Sequence, residues 1–189
     1  MNNFLTNDEE LLCVVMSVSL FLENFDSSTR KLIANGIFMS NLVSLIKLWS
    51  GTSEFLLSTL QVAQNRAARL VTKLPLTTNT EILLRQVGWL SVRQLCTYHC
   101  LTMIYKVKST GRPFYYARKF GRCFPRETRY ASGNSILIQG RITSNLRKQN
   151  FAYRAALSWN ALPSEIRLTE KFCAFQRKLK IWVKDNVAR

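Results

Sequence analysis

The sequence predicts a mainly helical fold with one irregular basic stretch at residues 109–149. Two observations carry that prediction. Apolar residues recur at three- and four-residue steps in several segments, the spacing that lines one side of a helix. Residues that start and stop helices bound those segments: Asn79 and Ser91 precede them, while Pro75, Gly88, Gly111 and Pro163 follow them. Any strand is expected to be short and confined to the basic stretch, near Ser135–Gln139.

Each element has its own warrant. The apolar run Leu11–Leu22 spans 12 residues, too few to cross a bilayer, and reads as a buried helix. Residues Asn24–Thr29 supply a turn or cap ahead of Arg30. From there Ile33, Ile37, Leu42, Leu45, Ile46 and Trp49 predict a helix, loosened near Gly36. The turn Ser50–Ser53 caps the next helix, from about Glu54 to Leu74. Its apolar stripe is Leu56, Leu60, Ala63, Ala67, Leu70, Val71 and Leu74, and Pro75 ends it. Arg66, Arg69 and Lys73 stand at i, i+3 and i+7, which predicts a second, cationic stripe.

Asn79 opens a short helix that Gly88 closes. Ser91 and Gln94 form a capping box for a helix from Val92 to about Lys108, apolar almost all round and expected to be deeply buried. In the last third, Phe151, Ala155, Trp159 and Leu162 share a face. Phe172, Phe175, Leu179, Trp182 and Val183 repeat the pattern, with Lys178, Lys180 and Lys184 outside it. The organisation that follows is a helix within 1–28, a helical region at 29–108, a basic aromatic loop at 109–149 and a helical pair at 150–189.

Charge bears most directly on partners. The net charge is +16, unevenly spread: residues 1–60 sum to −3 and residues 61–189 to +19. Such an excess repels itself unless a polyanion relieves it, so RNA or DNA is the leading candidate partner, with a merely soluble basic surface as the alternative. The 109–149 stretch holds Arg112, Arg118, Lys119, Arg122, Arg126, Arg129, Arg141, Arg147 and Lys148. Among them lie Phe114, Tyr115, Tyr116, Phe120, Phe124 and Tyr130, and Glu127 is its one acid. Cations mixed with aromatic rings suit an unpaired strand, whose bases stack while its phosphates pair. Rings of this kind also anchor long loops to a core. A membrane partner is disfavoured, since no terminal helix sets lysines opposite a purely apolar face.

Five scattered cysteines give no disulfide framework, and the acidic start lacks the positive charge of a signal peptide. An intracellular setting, nuclear or cytoplasmic in a ribonucleoprotein, is therefore expected rather than secretion. No catalytic residues are assigned. Asp8, Asp26 and Asp185 are the sequence's aspartates, and none is paired as two-metal phosphoryl transfer requires. Cys96, His99 and Cys100 could face one way from a helix, but a zinc knuckle needs an early Cys pair on a turn and a nearby fourth ligand, so no metal is assigned. Gly121, Gly133 and Gly140 fit no phosphate-cradling pattern, and no cofactor or small-molecule substrate is expected.

Several blocks carry a family resemblance: Ile33–Met39, Trp49–Thr52, Leu60–Lys73, Gly88–Val92, Thr128–Arg129, Phe151–Pro163 and Phe175–Trp182. In this order they resemble the carboxy-terminal segment of the polyproteins of non-LTR retrotransposons, LINE elements of the jockey type. The resemblance covers about Arg30 to Val187. It implies a thumb-like helical region and tail downstream of the reverse transcriptase palm, helping to hold template RNA and target DNA. The palm's catalytic aspartates are not in this chain, so a non-catalytic segment is expected. Ser50-Gly51 stands where the family usually has two glycines, and the start at Met1 fits a truncated copy. The candidate nucleic-acid contacts are Arg66, Arg69, Lys73, Arg112, Arg118, Lys119, Arg122, Arg126, Arg129, Arg147 and Lys148. A helical scaffold module, or an inert remnant of such an element, is the alternative.

Overall fold

The computed structural model describes residues 25–49, 54–115, 117 and 151–187. Of these, 80% are helical and none lies in a strand, so the mainly helical fold class holds. The predicted helix at Leu11–Leu22, the cap at Ser50–Ser53, the strand near Ser135–Gln139 and most of the basic stretch fall outside the described residues. The chain divides into two compact units, one running to Leu95 and the other from Cys96. No helix among the described residues is long and apolar enough to cross a membrane.

The first unit opens with α1 (Ser27–Ala34). Asp26 caps it by accepting from the Ser28 amide at 3.1 Å. The hydroxyls of Ser28 and Thr29 hold the Asp26 carboxyl down to about 2. A π-helical turn, Asn35–Met39, then leads into α2 (Ser40–Trp49), so the helix does loosen around Gly36. That wider turn moves the buried face. Ala34, Phe38 and Leu42 are buried, whereas Ile33 is half-buried and Ile37 is 38% exposed. A pure 3.6-residue period drifts across four-residue steps, and a turn closed by i→i+5 bonds takes up the extra residue. The predicted stripe through Ile33 and Ile37 is corrected accordingly.

The long helix α3 (Glu54–Thr72) buries Leu57, Leu60, Ala63, Gln64, Ala67, Ala68 and Val71. Six of these are apolar, and Leu57 replaces Leu56 at the start of the face. Ala67 and Ala68 are nearly inaccessible, which lets α1 and α4 (Thr80–Val87) approach closely. Ala34, Ala68, Val71, Leu83, Leu84 and Val87 form the core here. The predicted boundaries of α4 hold in atomic detail. The Asn79 side chain accepts from the Glu81 amide at 2.9 Å. At the other end Gly88 takes φ 80°, and the amides of Gly88 and Trp89 return to Arg85 and Leu84, the paired bonds of a Schellman ending.

Helix α5 (Val92–Thr110) begins with the predicted capping box. The Ser91 amide donates to Gln94 Oε1 at 3.1 Å, and the Gln94 amide donates to Ser91 Oγ at 3.3 Å. From Val92 to Val107 only Arg93 and Lys106 are exposed, in line with an element apolar almost all round. Ser109 and Thr110, expected in the loop, still belong to this helix, which stops at Gly111 with φ 67°.

The second unit packs the rest of α5 with α6 (Phe151–Asn160), the short α7 (Ser164–Arg167) and α8 (Phe172–Asn186). Its core includes Leu101, Ile104, Tyr105, Ala155, Ala156, Trp159, Leu162, Phe175, Leu179 and Val183. The Tyr105 ring stacks on Phe175 at 4.3 Å, and Trp159 lies 6.0 Å from the same ring. The Tyr105 hydroxyl donates to the Thr169 carbonyl at 2.9 Å and to that of Glu170. The polar tip of a buried aromatic thus tethers the link between α7 and α8. Of the predicted faces, Ala155, Trp159 and Leu162 are buried, as are Phe175, Leu179 and Val183 on α8, with Phe172 and Trp182 half-buried, while the Phe151 side chain lies outside the described residues.

Candidate nucleic-acid interface

The segment Leu60–Asn65 begins one of the blocks that carry the family resemblance, and its amide side chains turn out to be occupied within the fold. Gln61 donates to Gln64 Oε1 at 3.0 Å and to Asn65 Oδ1 at 2.9 Å, while its own Oε1 accepts from the Val92 amide at 2.9 Å. Gln64, fully buried, donates to the Leu90 carbonyl at 2.8 Å. Asn65 reaches Thr80 Oγ1 at 3.0 Å. Three polar residues on one helix therefore clamp the starts of α4 and α5. A second link joins two other blocks: Trp89 Nε1 donates to Asn35 Oδ1 at 2.9 Å. These motifs build the scaffold that presents the cations.

The three cations predicted to form one stripe on α3 do not share a face. Arg66 is exposed and points off the buried face. Arg69 is half-buried, and its Nη2 donates to the Leu76 carbonyl at 3.2 Å, holding the chain that turns back after the helix. Lys73 lies one residue past the helix end in the left-handed region, φ 55°, where its amide closes the last turn on the Arg69 carbonyl. The predicted helix ran to Leu74. It stops early because Leu74 precedes Pro75, which disfavours helical geometry at Leu74 and leaves Lys73 to turn the chain. Lys73 is exposed, yet it shares no rigid face with Arg66.

Of the basic stretch, Arg112 is described and exposed, and close by Phe114 and Tyr115 are 79% and 61% exposed. Arg118, Lys119, Arg122, Arg126, Arg129, Arg147 and Lys148 lie outside the described residues. The structure adds cations that the sequence reading left off its list. Arg177, Lys178, Lys180 and Lys184 on α8 are all exposed, and Lys171 precedes them. Asp185 is the one acid on that helix. Across the described part of the second unit, Glu165, Glu170 and Asp185 face ten lysines and arginines. The signal was present in the sequence, since the apolar positions of α8 already set these lysines on the outer side.

Cys96, His99 and Cys100 sit on α5 within the core region. Cys96 is buried, the His99 ring meets Tyr98 edge-on at 5.3 Å, and burial, with a smaller push from Cys96, drives the Cys100 thiol up to about 12. A thiol held neutral is a poor metal ligand and a poor nucleophile. Among the described residues no three His, Cys, Asp or Glu side chains gather where they could hold a metal ion.

The class that fold and surface define is a helical chain with an excess of exposed cations and exposed aromatic rings. No protein-family model, curated protein or solved structure matches the chain.

Proposed function

We propose that this chain is a non-catalytic nucleic-acid-binding segment of a retroelement reverse transcriptase polyprotein, holding RNA or single-stranded DNA through its cationic surface. The observation that carries the reading is the outer side of α8, where four cations are exposed beside a single acid. Such a surface attracts the phosphate backbone and releases its counterions. Exposed Phe114 and Tyr115 beside Arg112 supply rings on which unpaired bases stack. The ordered blocks that resemble the LINE polyprotein tail support the retroelement origin.

The test is binding to single-stranded RNA across a salt series. If five to eight phosphates are neutralised, log affinity falls against log salt with a slope of about −0.7 per contact. Flat salt dependence, or no retention on an immobilised polyanion at physiological salt, overturns the reading. One feature favours a second reading, a helical interaction module. Glu54, Phe55, Leu57, Ser58 and Gln61 of α3 line a groove with Val92 and Arg93, and Phe55 is 74% exposed in it. Under that reading Phe55→Ser abolishes partner binding and leaves RNA binding unchanged.

A further inference from the structure

Helix α8 is fixed to its unit by Phe175, Leu179 and Val183, none of which exposes any surface. At 3.6 residues per turn, successive side chains advance by about 100°. Arg177, Lys180 and Lys184 then fall within about 60° of one another on the side away from that core, and all three are exposed. Along the axis they are separated by about 4.5 Å and about 6 Å. Lys178 and Asp185 share a flank that lies about 80° or more from this row. The acid of the helix therefore stands outside the row of cations.

The row has no ring to stack on a base and no amide to pair with a base edge. The rings of the helix, Phe172, Phe175 and Trp182, are buried or half-buried. Phe175 is packed on Tyr105 and Trp159, and Phe172 lies 5.7 Å from Tyr105 with Lys106 Nζ 5.1 Å from its own centre. Of the two amide side chains, Gln176 is half-buried and Asn186 donates back to the Trp182 carbonyl at 3.0 Å. Ile181, exposed beside the row, carries no hydrogen-bonding group. What the face offers is charge on a fixed helix. Phosphate contacts position a strand, whereas contacts to base edges specify its sequence. Cations held by a packed helix also lose less entropy on binding than cations on a loop that must be ordered.

We infer that Arg177, Lys180 and Lys184 hold three phosphates of one strand, so that this face of α8 takes the phosphodiester backbone without regard to the bases it carries. The inference rests on the proposed function and narrows it. The row supplies hold and register, and base stacking falls to rings elsewhere, such as exposed Phe114 and Tyr115.

The experiment uses the full chain, a triple variant carrying Arg177→Gln, Lys180→Gln and Lys184→Gln, and the single variant Lys180→Gln. Glutamine removes the charge and keeps the helix propensity. One probe is a mixed-sequence single-stranded RNA of about 20 nucleotides, longer than a single binding site. The other is an abasic ribose phosphodiester strand of the same length, which has the charges and no bases. Affinities are read by anisotropy across a salt series. The triple variant is expected to lose the same factor in affinity on both probes, with each salt slope shallower by about 2, three contacts at about 0.7 each. Lys180→Gln should make both slopes shallower by about 0.7, and it decides the matter alone if the triple variant melts below wild type. A loss larger on RNA than on the abasic strand means that the row takes base edges and overturns the inference. So does a wild type that binds RNA but not the abasic strand. Slopes unchanged by the substitutions, in a chain that binds RNA, overturn the row and leave the proposed function standing. A wild type that binds neither probe overturns the proposed function, and the inference falls with it.

Discussion

Gln64 and Leu90 are joined by a buried hydrogen bond: Gln64 Nε2 donates to the Leu90 carbonyl at 2.8 Å, and Gln64 exposes no surface. A fully buried amide in the middle of a helix is tolerable because both of its ends are satisfied, Nε2 by Leu90 and Oε1 by Gln61. The bond anchors the start of α5 to α3 at the point where the backbone after Trp89 has no helical partner of its own.

Replacing Gln64 by Leu is therefore expected to destabilise the chain, although it adds apolar volume to a core. The Leu90 carbonyl loses its donor, at about 2 kcal/mol for an unsatisfied buried group. Gln64→Glu should be worse, since it removes the same donor and also sets a buried carboxylate against the Leu90 carbonyl. Urea unfolding with a shared slope measures both. A neutral Gln64→Leu would mean that water reaches Leu90 and that the clamp contributes little.

Lys73 and Gly88 give paired predictions of opposite sign. Both occupy the left-handed region, at φ 55° and φ 80°. A side chain there is strained, and glycine is not. Lys73→Gly should stabilise by about 0.5–1 kcal/mol, and Gly88→Ala should destabilise by about 1 kcal/mol. The thermal midpoints of the two variants should move in opposite directions from wild type.

The Cys100 thiol, pushed from 9.0 to about 12, ties stability to alkaline pH. Below pH 9 the thiol is protonated in both the folded and unfolded chain, so its contribution is fully present. Above that the unfolded chain loses the proton first and binds fewer protons than the folded one, so stability falls with rising pH towards about 12. Cys100→Ala should flatten part of that decline in urea midpoints taken from pH 8 to pH 11. Alkylation mapped by mass spectrometry should label exposed Cys173 well before Cys100. Equal labelling rates in the folded chain would contradict the burial.

The basic stretch is expected to outweigh α3 in RNA binding. Replacing Arg118, Lys119, Arg122 and Arg126 by Ala should weaken binding more than replacing Arg66, Arg69 and Lys73. The stretch brings more cations, with aromatic rings among them. The structure sharpens the comparison, because Arg69 is engaged with the Leu76 carbonyl. Arg69→Ala should lower stability by about 1 kcal/mol, so Arg66→Ala alone is the clean measure of α3. Anisotropy titrations that rank Arg66→Ala below the quadruple variant in affinity would demote the stretch to structural cover.

Local chemistry determined what was legible. The cap at Asn79, the stop at Gly88 and the exchange between Ser91 and Gln94 involve residues a few positions apart, so their geometry is dictated by the chain itself. The same holds for the faces of α6 and α8, where helical period alone sorts Trp159 and Phe175 from the lysines. Charge was legible too, since its excess beyond residue 60 needs no fold to count. Tertiary structure decided everything that joins distant positions. Gln64 meets Leu90 across 26 residues, Arg30 meets the Leu70 carbonyl across 40, and Trp89 meets Asn35 across 54. The π turn rotated a face that a uniform period misplaces, and Pro75 shortened α3 so that Lys73 left the stripe of Arg66. A side chain's type states which bonds it can make, and only the arrangement of the rest of the chain supplies or withholds the partner.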